Sequence, residues 1–195
     1  MARNTKRELL EAAARVATNK GIQSLTLEAV AKEAGISKGG LFYHFKTKED
    51  LLSAMVEAFV EVTENRLPRP DDPDAAPGAW PRGFLDACLT KKDAAVGSYS
   101  RLSVAVMAAV ANDKALLKPL SDRQPDWRAA LNDSGIPPVT AHIVRLAADG
   151  LWINEILSIP ILSDGEREDV IAELRRMTHS NAKREDNSHE EPNDR

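Results

Sequence analysis

An all-α fold follows from three features of the sequence. Apolar residues recur at three- and four-residue spacing in one stretch after another, and no stretch sustains the alternation of a half-buried strand. Thr5, Thr26, Ser37 and Thr47 stand just before such stretches, where a hydroxyl caps free backbone N–H groups. Glycine and proline punctuate the gaps. A chain of 195 residues has room for one large or two small domains and buries a substantial core unaided. The expected organisation is a three-helix unit over 1–47, a helical body over 48–180 and a disordered polar tail over 181–195, about nine helices in all.

The first helix is expected over 5–20. Thr5 and Glu8 resemble a capping box, Leu9, Leu10, Ala13, Val16 and Ala17 form the apolar stripe, and Gly21 ends it. The second begins after Thr26, carries Leu27, Val30, Ala31 and Ala34 inward, and stops at Gly35, which has no Cβ to resist a left-handed conformation. Ser37 caps a short third helix that reaches Tyr43 or His44. Lys38, Gly39 and Gly40 occupy its first turn, and each glycine costs about 1 kcal/mol relative to alanine. Such a cost is repaid only where another surface approaches the backbone closely. Leu41, Phe42 and Phe45 are expected to face a small core, leaving the polar tips of Tyr43 and His44 outside. Thr47 with Asp50 begins the fourth helix, expected over 48–66 with a wide apolar face that links this unit to the body.

Helix, glycine turn, helix is the helix-turn-helix pattern, whose second helix enters the DNA major groove. The run A-G-I-S-K-G-G-L-F-Y-H-F-K-T-K-E-D-L-L, residues 34–52, resembles the DNA-binding signature of the TetR family of transcriptional regulators. The resemblance covers residues 5–55, with the turn glycine, Tyr43, Phe45, Lys48 and Leu51 where the family pattern puts them. It implies a homodimer that binds a near-palindromic double-stranded DNA operator and a small-molecule inducer. It also implies DNA contacts from Thr26, Ser37, Lys38, Gly39, Gly40, Tyr43, His44 and Lys48: Thr26, Tyr43 and Lys48 on the backbone, and Lys38, Gly39, Gly40 and His44 toward base edges. Arg3, Lys6 and Arg7 are either further backbone contacts or solvated terminal charges. Net charge is −4, yet residues 1–55 hold nine Lys/Arg against six Asp/Glu, which leaves −7 for the remainder. A basic head on an acidic body suits a protein that touches phosphate at one end.

In the body, the proline- and aspartate-rich stretch 67–81 reads as a surface loop. Helices are expected over 80–90, 94–111 and 114–131, the last kinked or split by Pro119 and Pro125. Residues 139–159 read as one long helix ended by Pro160, and 164–179 as the last. The 139–159 helix is apolar around most of its circumference, so one face suits the core and another a second subunit. In TetR-like proteins the last two helices pair across the dimer, and D-G-L-W at 149–152 resembles a stretch common there, with Gly150 permitting close approach. Phe84, Met107, Trp127 and Trp152 are candidate walls of an inducer pocket. Asp149 and Glu155 either meet the ligand or pair with arginine, Arg145 among them.

No catalytic constellation is visible: the four histidines are scattered, and metal-ligand spacing, G-x-S-x-G and a phosphate-binding glycine loop are missing. No cofactor, metal or enzymatic role is expected. Cys88, the single cysteine, reads as a small buried residue and indicates a reduced, cytoplasmic protein; no leader or membrane span is expected. The expected function is ligand-responsive transcriptional regulation, in the repressor sense by default. A helical ligand-binding coactivator without DNA binding is the alternative.

Overall fold

The computed structural model describes residues 2–69, 72, 74–89, 103, 107 and 113–179. Among them the architecture is all-helical: α1 (Ala2–Lys20), α2 (Leu27–Ala34), α3 (Lys38–His44), α4 (Lys48–Glu64), α5 (Ala79–Leu89), α6 (Gln124–Asn132), α7 (Pro138–Leu157) and α8 (Asp164–Thr178), with 3-10 turns at Ile22–Ser24 and Lys114–Leu117 and a single α-turn at Lys118–Ser121. The helix expected over 94–111 lies outside the described residues apart from Ser103 and Met107, both helical, and the tail lies wholly outside them.

Helix α1 begins at Ala2 rather than at residue 5, so Thr5 lies inside the helix and is not its cap. Residues 2–4 contain neither proline nor glycine, and nothing interrupts the helix there. Thr26 Oγ1 accepts from the Ala29 amide at 3.1 Å and opens α2, which closes on Gly35 at φ 69°. Thr47 and Asp50 form a reciprocal capping box at α4: Asp50 N donates to Thr47 Oγ1 at 3.0 Å, and Thr47 N to Asp50 Oδ2 at 3.1 Å.

Helix α5 starts at Ala79 and takes in Pro81, which the sequence placed in the loop. The first four amides of a helix have no intrahelical acceptor, so a missing N–H in that turn costs little. The stretch 114–131 is split as expected. Pro119 and Pro125 each fall in the first turn of a new helical segment. Helix α7 ends at Leu157, with Ser158 left-handed at φ 53°, before Pro160 rather than at residue 159. A residue preceding proline is driven out of the helical region, which excludes Ile159, and the left-handed Ser158 caps the helix one residue before it. Ser163 and Glu166 cap α8 with a second box.

One hydrophobic cluster runs from Leu9 and Val16 through Leu51, Met55 and Phe59 to Phe84, Trp127, Val144 and Leu174. Helix α4 joins its parts: it touches α1, α5 and the segment 114–121. In the body α5 packs most extensively on α7, and α6 and α8 pack on α7 as well.

Candidate nucleic-acid interface and body cluster

Helix α3 is anchored by two residues four apart. Leu41 is fully buried and Phe45 nearly so. Phe42 was expected to join them but is exposed, because a seven-residue helix turns one stripe inward and Phe42 sits about 100° from Leu41. Tyr43 is 83% exposed and meets the His44 ring edge-on at 5.3 Å between centroids. His44 and Lys48 are half-buried, and Lys48 is the first residue of α4.

Ser37 Oγ accepts from the Gly40 amide at 3.1 Å and caps α3. Neither glycine of α3 is required by the chain's own packing. A Cβ on Gly39 would meet nothing within 4 Å, and one on Gly40 would make ordinary contact with Ser37 Oγ at 3.4 Å. Neither has a positive φ. Lys38 Nζ reaches back to Glu28 Oε1 on α2 at 2.6 Å and lies 5.4 Å from the centroid of the Phe42 ring. The hydrogen bond and charge of Lys38 hold the Glu28 carboxyl below the usual glutamate range. Thr26, Ser37, Lys38, Gly39, Gly40 and Tyr43 are all exposed, with His44 and Lys48 partly so.

In the body the structure brings together two of the four expected wall residues. Phe84 and Trp127, both buried, meet edge-on at 5.9 Å, and Trp80 stacks on Phe84 at 5.8 Å. The Arg145 guanidinium lies 4.0 Å from the Phe84 centroid and 5.0 Å from that of Trp127. Trp152 instead stands against Phe59 of α4 at 5.6 Å and donates to Ser103 Oγ at 3.3 Å. Met107 is half-buried.

Both carboxylates meet arginines of their own chain. Asp149 Oδ2 accepts from Arg145 Nε at 2.8 Å, and Glu155 Oε1 from Arg167 of α8 at 2.6 Å. Burial raises the Asp149 pKa above the usual aspartate range, and Arg145 offsets only part of that. Two contacts escaped the sequence reading: Trp127 Nε1 donates to Glu64 Oε1 of α4 at 3.2 Å, and Arg123 faces the same oxygen at 3.5 Å. The acid lies about 60 residues from both the indole and the guanidinium along the chain, and no local pattern links it to them.

Among the described residues no cluster of His, Cys, Asp or Glu is arranged to hold a metal ion, and no helix is long and apolar enough to cross a membrane. Cys88 is buried.

A stripe of α7 stays uncovered. Val139, Ile143, Leu146, Ile153 and Leu157 are all exposed, Val139 at 71% and Leu146 at 69%. With Gly150 they step by four and three residues along one face, the spacing of a helix–helix seam. A Cβ on Gly150 would meet nothing within 4 Å. Ile159 and Ile161, just past the helix, continue the exposed apolar surface.

Two family models match this chain: "Bacterial regulatory proteins, tetR family" over residues 9–55, and "Tetracyclin repressor-like, C-terminal domain" over residues 78–179. The transcriptional regulator AcrR of Shigella flexneri is 38% identical over 56 residues, 29% of this chain and 26% of that protein. The transcriptional repressor KstR2 of Mycobacterium tuberculosis is 36% identical over 59 residues, 30% of each. The matches span only 22–32% of the length of the first curated relatives. A transcriptional regulator from Rhodococcus sp. Rha1 shares the fold at TM-score 0.63 and 21% identity, over 89% of this chain and 95% of that one. The multidrug binding protein EbrR, complexed with malachite green, matches at TM-score 0.59 and 25% identity, over 90% and 98%.

Proposed function

Because the chain belongs to the TetR family of bacterial regulatory proteins, whose C-terminal model alone covers more than half of it, we propose that it is a homodimeric, ligand-responsive transcriptional repressor, released from a near-palindromic operator by a small-molecule inducer. The observation that carries the reading is α3. Two glycines that nothing in the chain requires stand beside Lys38 and an exposed Tyr43 on a helix held from behind by Leu41 and Phe45. A helix weakened by about 1 kcal/mol per glycine gains from the exchange when a groove must come close to its backbone. Thr26, Ser37, Tyr43 and Lys48 then meet phosphates, while Lys38, Gly39, Gly40 and His44 face base edges. Lys48 stands at the positive end of α4, where lysine and helix dipole attract the same anion.

The uncovered stripe of α7 supports dimerisation through α7 and α8, since a seam of this length is costly to leave in water. The inducer site is placed in the body beside Phe84, Met107, Trp127 and Trp152, and it suits an apolar or aromatic molecule of drug size. Asp149 and Glu155 are each already paired with an arginine, which competes with a ligand for them. The multidrug-binding neighbour supports this choice of ligand class.

Selection of the full-length protein on a random duplex library tests the reading. The expected result is an inverted repeat, with half-sites one helical turn apart, about 34–36 Å. Lys38→Ala should lose preference at one base per half-site, worth about 1–3 kcal/mol. No enriched sequence at all would favour the coactivator alternative.

A further inference from the structure

The carboxylate that meets Lys38 comes from the neighbouring helix. Glu28 is the second residue of α2 and Lys38 the first of α3. Their side chains meet at 2.6 Å while staying 60% and 61% exposed. An ion pair so open to water is well screened and adds little to stability. The fold therefore has little need of it, and its consequence lies in where it holds the charge. Exposed Phe42, under the same ammonium, restricts that position further.

We propose that Glu28 sets the affinity of the DNA-binding face: it occupies Lys38 in the unbound protein, so any DNA acceptor, phosphate or base, has to displace it. The inference rests on the DNA-binding reading above. On arbitrary DNA, Lys38 would trade one anion, the Glu28 carboxylate, for another, a phosphate, and would leave Glu28 facing a negative surface. That exchange is close to neutral. At a guanine, O6 and N7 both accept from the ammonium at positions fixed by the groove. The pair is broken before Lys38 reaches either acceptor, so the carboxylate lowers operator affinity at least as much as background affinity.

The test compares wild type, Glu28→Gln, Lys38→Gln and the double variant, as full-length proteins, on a scrambled duplex and on the selected operator over a salt series. Both positions are exposed and Glu28→Gln is nearly isosteric, so thermal unfolding should shift little. Glu28→Gln should bind the scrambled duplex about five- to tenfold more tightly at 0.1 M salt, with a log K–log salt slope steeper by roughly 0.9 per subunit, one more phosphate contact each. Operator affinity should rise by at least the same factor, so the operator-to-scrambled ratio should not fall. In the Lys38→Gln background the gain should vanish. An equal gain in both backgrounds would show that Glu28 acts on phosphate by itself and would overturn the proposal, as would unchanged affinity in Glu28→Gln. Wild type that binds neither duplex would overturn the DNA-binding reading and this inference together.

Discussion

Lys48 and Asp149 show how two charged side chains produce different observables. Lys48 is half-buried at the start of α4 and is proposed as a phosphate contact. Lys48→Ala should weaken binding to all sequences alike and reduce the magnitude of the salt slope by roughly 0.9 per subunit, read by fluorescence anisotropy; an unchanged slope removes the contact. Asp149 speaks to stability instead. Burial raises its pKa in the folded chain even with Arg145 alongside. A raised carboxylate pKa means that the folded state holds the proton more tightly than the unfolded state. Its contribution is therefore most favourable below the unfolded pKa and is lost as pH rises through the folded one. Asp149→Asn should accordingly gain on wild type as pH goes from about 3.5 to about 7, measured by urea unfolding at each pH. A constant difference would mean that Asp149 titrates normally.

At the scale of the element, α7 serves two surfaces. Ala141, Val144, Ala148 and Leu151 face the core, while Val139, Ile143, Leu146, Ile153 and Leu157 face outward around Gly150. The open space at Gly150 separates folding from association: a Cβ there meets nothing in its own chain. Gly150→Leu should therefore keep a cooperative melt and yet split or distort the dimer, read by sedimentation at micromolar concentration. Wild type that sediments as a monomer would remove the dimer scheme altogether.

At the scale of the molecule, α4 touches both the helix-turn-helix unit and the body. Two of the expected wall residues rest on it directly, Trp152 against Phe59 and Trp127 through Glu64. A ligand that displaced either indole would pull on α4, which packs on α1 of the helix-turn-helix unit, and differential affinity for the two arrangements is all that release requires. Trp127→Ala should weaken release by inducer while sparing operator affinity. It also empties a buried site, at a cost of about 3–5 kcal/mol. Trp127→Phe is the cleaner variant, because it keeps a ring against Phe84 and Arg145 and loses only the N–H to Glu64. In a titration with a panel of apolar and aromatic dyes followed by anisotropy, Trp127→Phe should need more of any dye that releases wild type from the operator. Equal dye requirements would place the coupling elsewhere.

The sequence by itself determined the all-helical class, the helix-turn-helix and the caps at Thr26, Gly35, Ser37 and Thr47, because each depends on groups within about four residues of one another. It also marked α7 as too apolar for one core, since that is a property of a single helix's circumference. Only the tertiary structure decided that Phe45 is buried and Phe42 is not, that Glu155 pairs with Arg167 and Trp127 with Glu64, and that Glu28 meets Lys38. Those outcomes depend on the angle and offset at which helices distant in sequence come to pack, and a one-dimensional pattern carries neither.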